Sequence, residues 1–344
     1  MSAGADFSRR AASAVAALAA AAGLAGSAGP GAARADEPEE CSPDGRVCTW
    51  QADVTVRLAP GDGAVSVDAT AHTVSIGDVA YEPFAERPAP RVTSWTLEAA
   101  DAYTGYVTFS GSSTHDTLIL RTKTPLGATV STGAGMDNVF IETAPAAGSV
   151  LDLGPSAHDD FATGDMGASI TADLRAETMT LTPLGSTDQV ALTLRGAESL
   201  ELGGREVTVL GSDAKDRVDI SACTARFRGR GGNDGVFLSD GSSVWETWYP
   251  PRSCRRDSIL IGGAGDDLLQ AKQGADVLRG GPGNDSLYGR LRDDRLLGGP
   301  GADVLLGGSG NDRIVGGPGP DRAYGGPGAD RCAGAERSTR CRRR

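Results

Sequence analysis

A chain of 344 residues can hold one elongated domain or two compact ones. Aromatic residues make up only 5% of it while glycines number 49, which excludes a conventional globular core for much of its length. Each glycine loses backbone freedom on folding and buries no side chain, so a repeat architecture or a bound ion must help. The formal net charge of −12 makes nucleic acid a poor partner.

The N-terminus reads as an export signal over residues 1–35. Arg9 and Arg10 precede the Ala- and Leu-rich run Ala11 to Gly26, then come Gly29, Pro30 and Gly31, and Ala33-Arg34-Ala35 has the small-x-small form of a cleavage site. The run is too short and too weakly hydrophobic for a membrane anchor, so the mature form is expected to have no membrane span. Ser8-Arg9-Arg10 resembles the start of a twin-arginine signal, but Ala11 and Ala12 follow where a bulky apolar residue is usual. No apolar lipobox precedes Cys41. Cleavage would leave 30 basic against 44 acidic residues, and the expected location is extracellular. All six cysteines lie beyond this point, so disulfides are expected; proximity pairs Cys41 with Cys48, Cys223 with Cys254 and Cys332 with Cys341. A zinc site is the alternative, but no CxxC pair or nearby histidine supports it.

Residues 36–105 read as an N-terminal β region or cap and residues 106–228 as an irregular β-solenoid. Short β-branched runs separated by Gly, Pro, Ser and Asp recur throughout: Val54 to Val56, Ala64 to Val67, Thr73 to Ile76, Thr117 to Leu120, Ala128 to Ser131, Val139 to Glu142, Thr180 to Thr182, Val190 to Leu194, Val207 to Leu210 and Val218 to Ile220. Several follow an x-Asp-x-apolar signature at Asp116, Asp137, Asp159, Asp188 and Asp216. The first three are 21 and 22 residues apart, close to one coil of a right-handed parallel β-helix. A separate β-sandwich at 49–105 or beyond is the rival. His72, His115 and His158 are 43 residues apart, which places them two coils apart and too far to share an ion.

Residues 229–333 carry a stricter period, interrupted by an insert at 239–256 in which Trp245, Trp248 and Tyr249 are candidate ligand contacts. From Gly262 the chain divides every nine residues without a gap: GGAGDDLLQ, AKQGADVLR, GGPGNDSLY, GRLRDDRLL, GGPGADVLL, GGSGNDRIV, GGPGPDRAY and GGPGADRCA; an earlier unit, GRGGNDGVF, begins at Gly229. Glycines at the first, second and fourth places allow turn conformations closed to other residues and bring carbonyl oxygens inward. Asp at the sixth place supplies a hard anionic oxygen, the type that Ca²⁺ prefers. The eighth place is apolar at Leu269, Leu278, Leu287, Leu296, Leu305 and Ile314. A disordered linker explains neither the register nor this column.

The pattern resembles the repeats-in-toxin (RTX) family, over about a quarter of the chain. The resemblance implies a Ca²⁺-binding β-roll with two units per coil, so the expected fold is all-β: a right-handed parallel β-solenoid, an irregular β-helix leading into the roll. It implies that Asp267, Asp285, Asp303 and Asp321 line one edge and Asp276, Asp294, Asp312 and Asp330 the other. On the first edge the turn glycines Gly263, Gly265, Gly281, Gly283, Gly299, Gly301, Gly317 and Gly319 are intact, and three ions are expected between successive aspartates. On the second, Gly308 and Gly310 are intact and one good ion is expected between Asp312 and Asp330. Ala271-Lys272, Arg290 and Arg292 replace glycines there, disfavouring the turn and weakening sites at Asp276 and Asp294; Asp234 in the outlying unit is also a weak candidate.

Residues 334–344 form a basic tail that Cys332–Cys341 would tie down. Many members of the family leave through a type I exporter; the N-terminal signal points instead to the general secretory route. There is no HExxH and no GxSxG, and neither Lys123 nor Lys215 lies in a carboxylate cluster, so the expected function is non-catalytic. The expected partners are calcium and a cell-surface or matrix polysaccharide or protein. An extracellular polysaccharide lyase or hydrolase on the β-helix is the alternative.

Overall fold

In a computed structural model, the described residues are 40–50, 53–83, 94–100, 103–122, 126–142, 145–155, 159–183, 185–197, 199–239 and 257–341. The expected export signal, Lys123, His158, the insert residues Trp245, Trp248 and Tyr249, Cys254 and Arg342 to Arg344 lie outside them. The described structure is all-β, with 28 strands and no helix.

Strands pair in parallel with the equivalent strand of the next coil, as the alternation of buried and exposed residues requires of a chain winding around its own core. One apolar column runs in register through the whole length: Val54, Trp95, Leu118, Val139, Phe161, Leu200, Val218, Val236, Leu269, Leu287, Leu305 and Ala323. All twelve are buried. Within the repeats a second column, Phe227, Leu260, Leu278, Leu296 and Ile314, faces the first. Apart from Ala271 and the partly buried Cys332 and Ala335, these two columns are the core of the roll among the described residues. Two buried side chains for eighteen ordered residues is thin, whereas the upstream coils also bury Tyr103, Phe109, Ile141, Leu151 and Ile170.

The strands at Asp53–Leu58 and Val65–Asp68 pair in parallel with Ser94–Ala99 and Tyr106–Ser110, so they belong to the solenoid and the rival sandwich is not formed. The antiparallel strands at Glu40–Cys41 and Val47–Trp50 extend that first coil outward. Asp116, Asp137 and Asp159 precede stacked strands at 21- and 22-residue offsets. Beyond Asp159 the coil lengthens because a hairpin is inserted: Thr178–Thr182 runs antiparallel between Asp160–Asp173 and Val190–Arg195, keeping the sheet continuous. This corrects one reading of the sequence. Asp188 precedes a strand of the other sheet face and is exposed, so it is not part of the aspartate series; Asp216 continues it. From Asp267 onward every offset is eighteen residues until the last strand, Arg337–Thr339.

Cys41–Cys48 and Cys332–Cys341 are disulfides as proximity suggested, and Cys223 is also disulfide-bonded. His72 sits in the turn before Thr73–Ile76 and His115 adjoins Asp116. Among the described residues no helix is long and apolar enough to cross a membrane.

Candidate metal centre

Each sixth-place aspartate opens a strand, its side chain folded back under the turn that precedes it. One carboxylate oxygen, Oδ1, accepts the backbone N–H of the equivalent aspartate one coil earlier. On the first edge these bonds form an unbroken chain from Asp216 through Asp234, Asp267, Asp285 and Asp303 to Asp321, each 2.9 Å long. On the second edge the chain runs from Ser258 through Asp276, Asp294 and Asp312 to Asp330 at 2.7–2.9 Å. The two edges are therefore as the resemblance implied.

The other oxygen, Oδ2, is buried without a hydrogen-bond partner at Asp234, Asp267, Asp276, Asp285, Asp294, Asp303, Asp312, Asp321 and Asp330. A buried carboxylate oxygen with no partner carries a large desolvation penalty. A row of nine in one molecule marks a place built for a cation. Burial, reinforced by neighbouring aspartates and opposed by the backbone N–H bond, raises Asp294 to about 8 and Asp234 and Asp285 to about 7. Burial likewise lifts Asp276 to about 7, Asp267 and Asp312 to about 6, and Asp303 upward.

The glycines around these carboxylates have two different roles. From Gly262 on, the second- and fourth-place glycines other than Gly274 hold positive φ, from +108° at Gly308 to +153° at Gly328, a region that disfavours side chains. A methyl on Gly281, Gly299 or Gly317 would also overlap the carbonyl oxygen of Gly263, Gly281 or Gly299 on the preceding coil. The first-place glycines have no such φ; a methyl on Gly262, Gly280, Gly298 or Gly307 would instead overlap the Oδ2 of the aspartate five residues on. Their absent side chain is the room into which the carboxylate folds, not a need for special backbone freedom. Gly299→Ala meets both the φ and the carbonyl penalty and is expected to cost more than about 2 kcal/mol, read as a shift in the urea midpoint.

The second edge departs from the first in a way the substitutions explain only in part. At Ala271-Lys272 neither Lys272 nor Gly274 has positive φ, so the glycine turn is not formed there, although Asp276 keeps its bond from Ser258. At Arg290 and Arg292 the turn survives: both take positive φ, 82° and 80°. The Arg290 guanidinium swings outward, donating to Gln270 Oε1 at 2.6 Å and lying 5.8 Å from the centre of the Tyr288 ring. Arg290 and Arg292 thus hold the turn under strain rather than abolishing it. Replacing each by glycine is expected to stabilise the chain by about 1 kcal/mol and to add one ion to the calorimetric stoichiometry.

Two features were missed in the sequence. Arg230, at the second place of the outlying unit, has φ 77° and is drawn off by Asp173 of the inserted hairpin at 3.3 Å and by the Gly211 carbonyl at 2.8 Å. Glu336 closes the first edge by accepting the N–H of Asp321. It lies fifteen residues after Asp321, which an eighteen-residue count passes over.

Among the described residues no three His, Cys, Asp or Glu side chains converge on one point. An ion held here must take aspartate oxygens together with backbone carbonyls, an all-oxygen set suited to Ca²⁺ and unsuited to zinc. The profile of the RTX calcium-binding nonapeptide repeat matches four overlapping stretches, 261–296, 279–314, 288–322 and 306–336. Residues 261–336 thus match the RTX calcium-binding repeat. The RTX profile begins after the unit at Gly229, although Asp234 continues the same bonded chain. No curated protein matches the chain.

Proposed function

We propose that the chain is an exported, non-catalytic binding protein whose RTX roll is folded and held by calcium. One observation carries this reading: the two stacks of buried aspartates whose Oδ2 atoms have no partner within the protein. Asp267, Asp285, Asp303 and Asp321, with the turn carbonyls of the second- and fourth-place glycines, would hold three ions; Asp312 and Asp330 would hold a fourth. Calcium supplies the positive charge that lets these carboxylates be ionised while buried, and by binding only the folded state it stabilises the roll by mass action. Export is supported by the N-terminal signal pattern and by the disulfides, which persist in oxidising surroundings.

Calorimetric calcium titration of the purified chain should return about four tight ions, with Asp285→Asn and Asp303→Asn each lowering the count. A titration without heat, or a count in both variants equal to the parent's, would overturn the reading. A lyase would betray itself by unsaturated sugar products absorbing in the ultraviolet.

A further inference from the structure

The outward faces of the roll differ from its turns. Among residues 257–341 there are twelve acidic and ten basic side chains, but eight of the acidic ones are the buried edge aspartates. Four exposed or turn carboxylates then remain against ten cations. Ion binding at the edges would leave the roll with a cationic exterior, although the chain as a whole is acidic.

Those cations are ordered. On the face built by Val277–Arg279, Arg295–Leu297, Arg313–Val315 and Arg331–Ala333, Arg295 stacks on Arg313 and Arg313 on Arg331 in strict register. Neighbouring strands lie about 4.8 Å apart, so three like charges stand one strand-spacing from each other. All three are exposed, and among the described residues none has an ion-pair partner. The adjoining Asp294, Asp312 and Asp330 are buried at the edges, and Asp293, the nearest exposed carboxylate to Arg295 in sequence, is engaged by Asn311. The upstream coils show what the fold does when charges need only each other. There Arg57, Glu98, Arg121 and Glu142 stack with alternating sign, linked at 3.1–3.9 Å. Like charges in register cost stability, and nothing among the described residues pairs with the arginine row. Beside it on the same face runs an aliphatic strip, Leu297, Val315 and Ala333, with Leu297 41% exposed.

We infer that this face binds a linear acidic polysaccharide lying along the solenoid axis. Its carboxylates, repeated along the chain, would pair with Arg295, Arg313 and Arg331, and its sugar rings would rest on the aliphatic strip. The row is one side chain wide, which suits a single linear polymer and gives little purchase on the two backbones of a nucleic-acid duplex or on a lipid surface. The inference deepens the binding role proposed above and rests on the calcium-loaded roll.

Hyaluronate, a linear uronate polymer that calcium does not gel, is the probe. The full chain in calcium should bind it, and the binding should weaken steeply as salt is raised. The triple variant R295Q/R313Q/R331Q should bind roughly tenfold or more weakly, with R313Q alone intermediate and R322Q, on the opposite face, unchanged. Calcium stoichiometry and circular dichroism of the variants should equal those of the parent, which separates this result from failure of the calcium reading itself. No binding by the parent, equal binding by the triple variant, or stronger capture of duplex DNA or anionic vesicles would overturn the inference.

Discussion

Removal of calcium is expected to unfold residues 229–341 and to leave the coils before them standing. The roll has only two apolar columns, and its turns carry rows of glycine whose ordering is entropically costly. Its edges also stack ionisable carboxylates one coil apart. Without a cation those carboxylates are either charged and repelling or protonated against their preference at neutral pH. With calcium at a hundredfold excess over its dissociation constant, each ion bound only to the folded state adds about 2.7 kcal/mol. Three or four such ions decide whether the segment folds. Upstream, Trp95, Phe109 and Phe161 fill a broader core, and Arg121 with its two glutamates ties the coils from outside. Hydrogen exchange with and without a chelator measures this directly. Protection should vanish from amides such as Asp285 and Asp312 while persisting at Leu118 and Val139. Unchanged protection at Asp285 would refute calcium-coupled folding.

Acid should rescue the calcium-free roll. Burial raises Asp267 and Asp312 to about 6, Asp234, Asp276 and Asp285 to about 7 and Asp294 to about 8, all above the ordinary carboxylate value of 3.8. A carboxyl that holds its proton more tightly when folded contributes stability that is complete below its unfolded value and is lost as pH rises through the folded one. The calcium-stripped chain should therefore melt later at pH 5 than at pH 8, with the loss starting near pH 4, steepest up to about 6 and levelling off by about 8. In saturating calcium the trend reverses, because protons displace the ion from the same oxygens. Asp44 runs the other way, held near 2 by the hydroxyls of Ser42 and Tyr81, but its contribution is lost only below about pH 4. Melting curves of the stripped chain that fall steadily with acid would contradict this.

The roll was legible in the sequence because a nine-residue period repeats the same solution eight times, so turn, aspartate and core residue are each visible as a column. Upstream, the coils at Asp116, Asp137 and Asp159 could be read from their x-Asp-x-apolar signature. The coil after Asp159 could not, since an inserted hairpin changes its length without a local marker, and Asp188 imitates the signature by chance. What sequence could not convey is direction. That Arg290 points to Gln270 and that Arg230 is held by Asp173 depend on contacts twenty or more residues away, and that a first-place glycine makes room for a carboxylate depends on how the aspartate five residues on folds back. The same holds for the arginine row: Arg295, Arg313 and Arg331 are ordinary surface residues until coils bring them side by side.

The strict eighteen-residue offset has a consequence for how such a chain can change length over generations. A duplicated or deleted segment of eighteen residues returns every later side chain to its own face, so the bonded aspartates, the apolar columns and the arginine row stay continuous. A change of nine residues preserves every local motif yet turns the remainder of the roll by half a coil. Arg313 would then fall beside Ser286 or Val304 instead of Arg295, and the outer faces would be scrambled while the calcium turns looked untouched. Lineages of this protein should therefore differ by whole coils, and a loss of half a coil should spare ion binding but break whatever the outer face recognises.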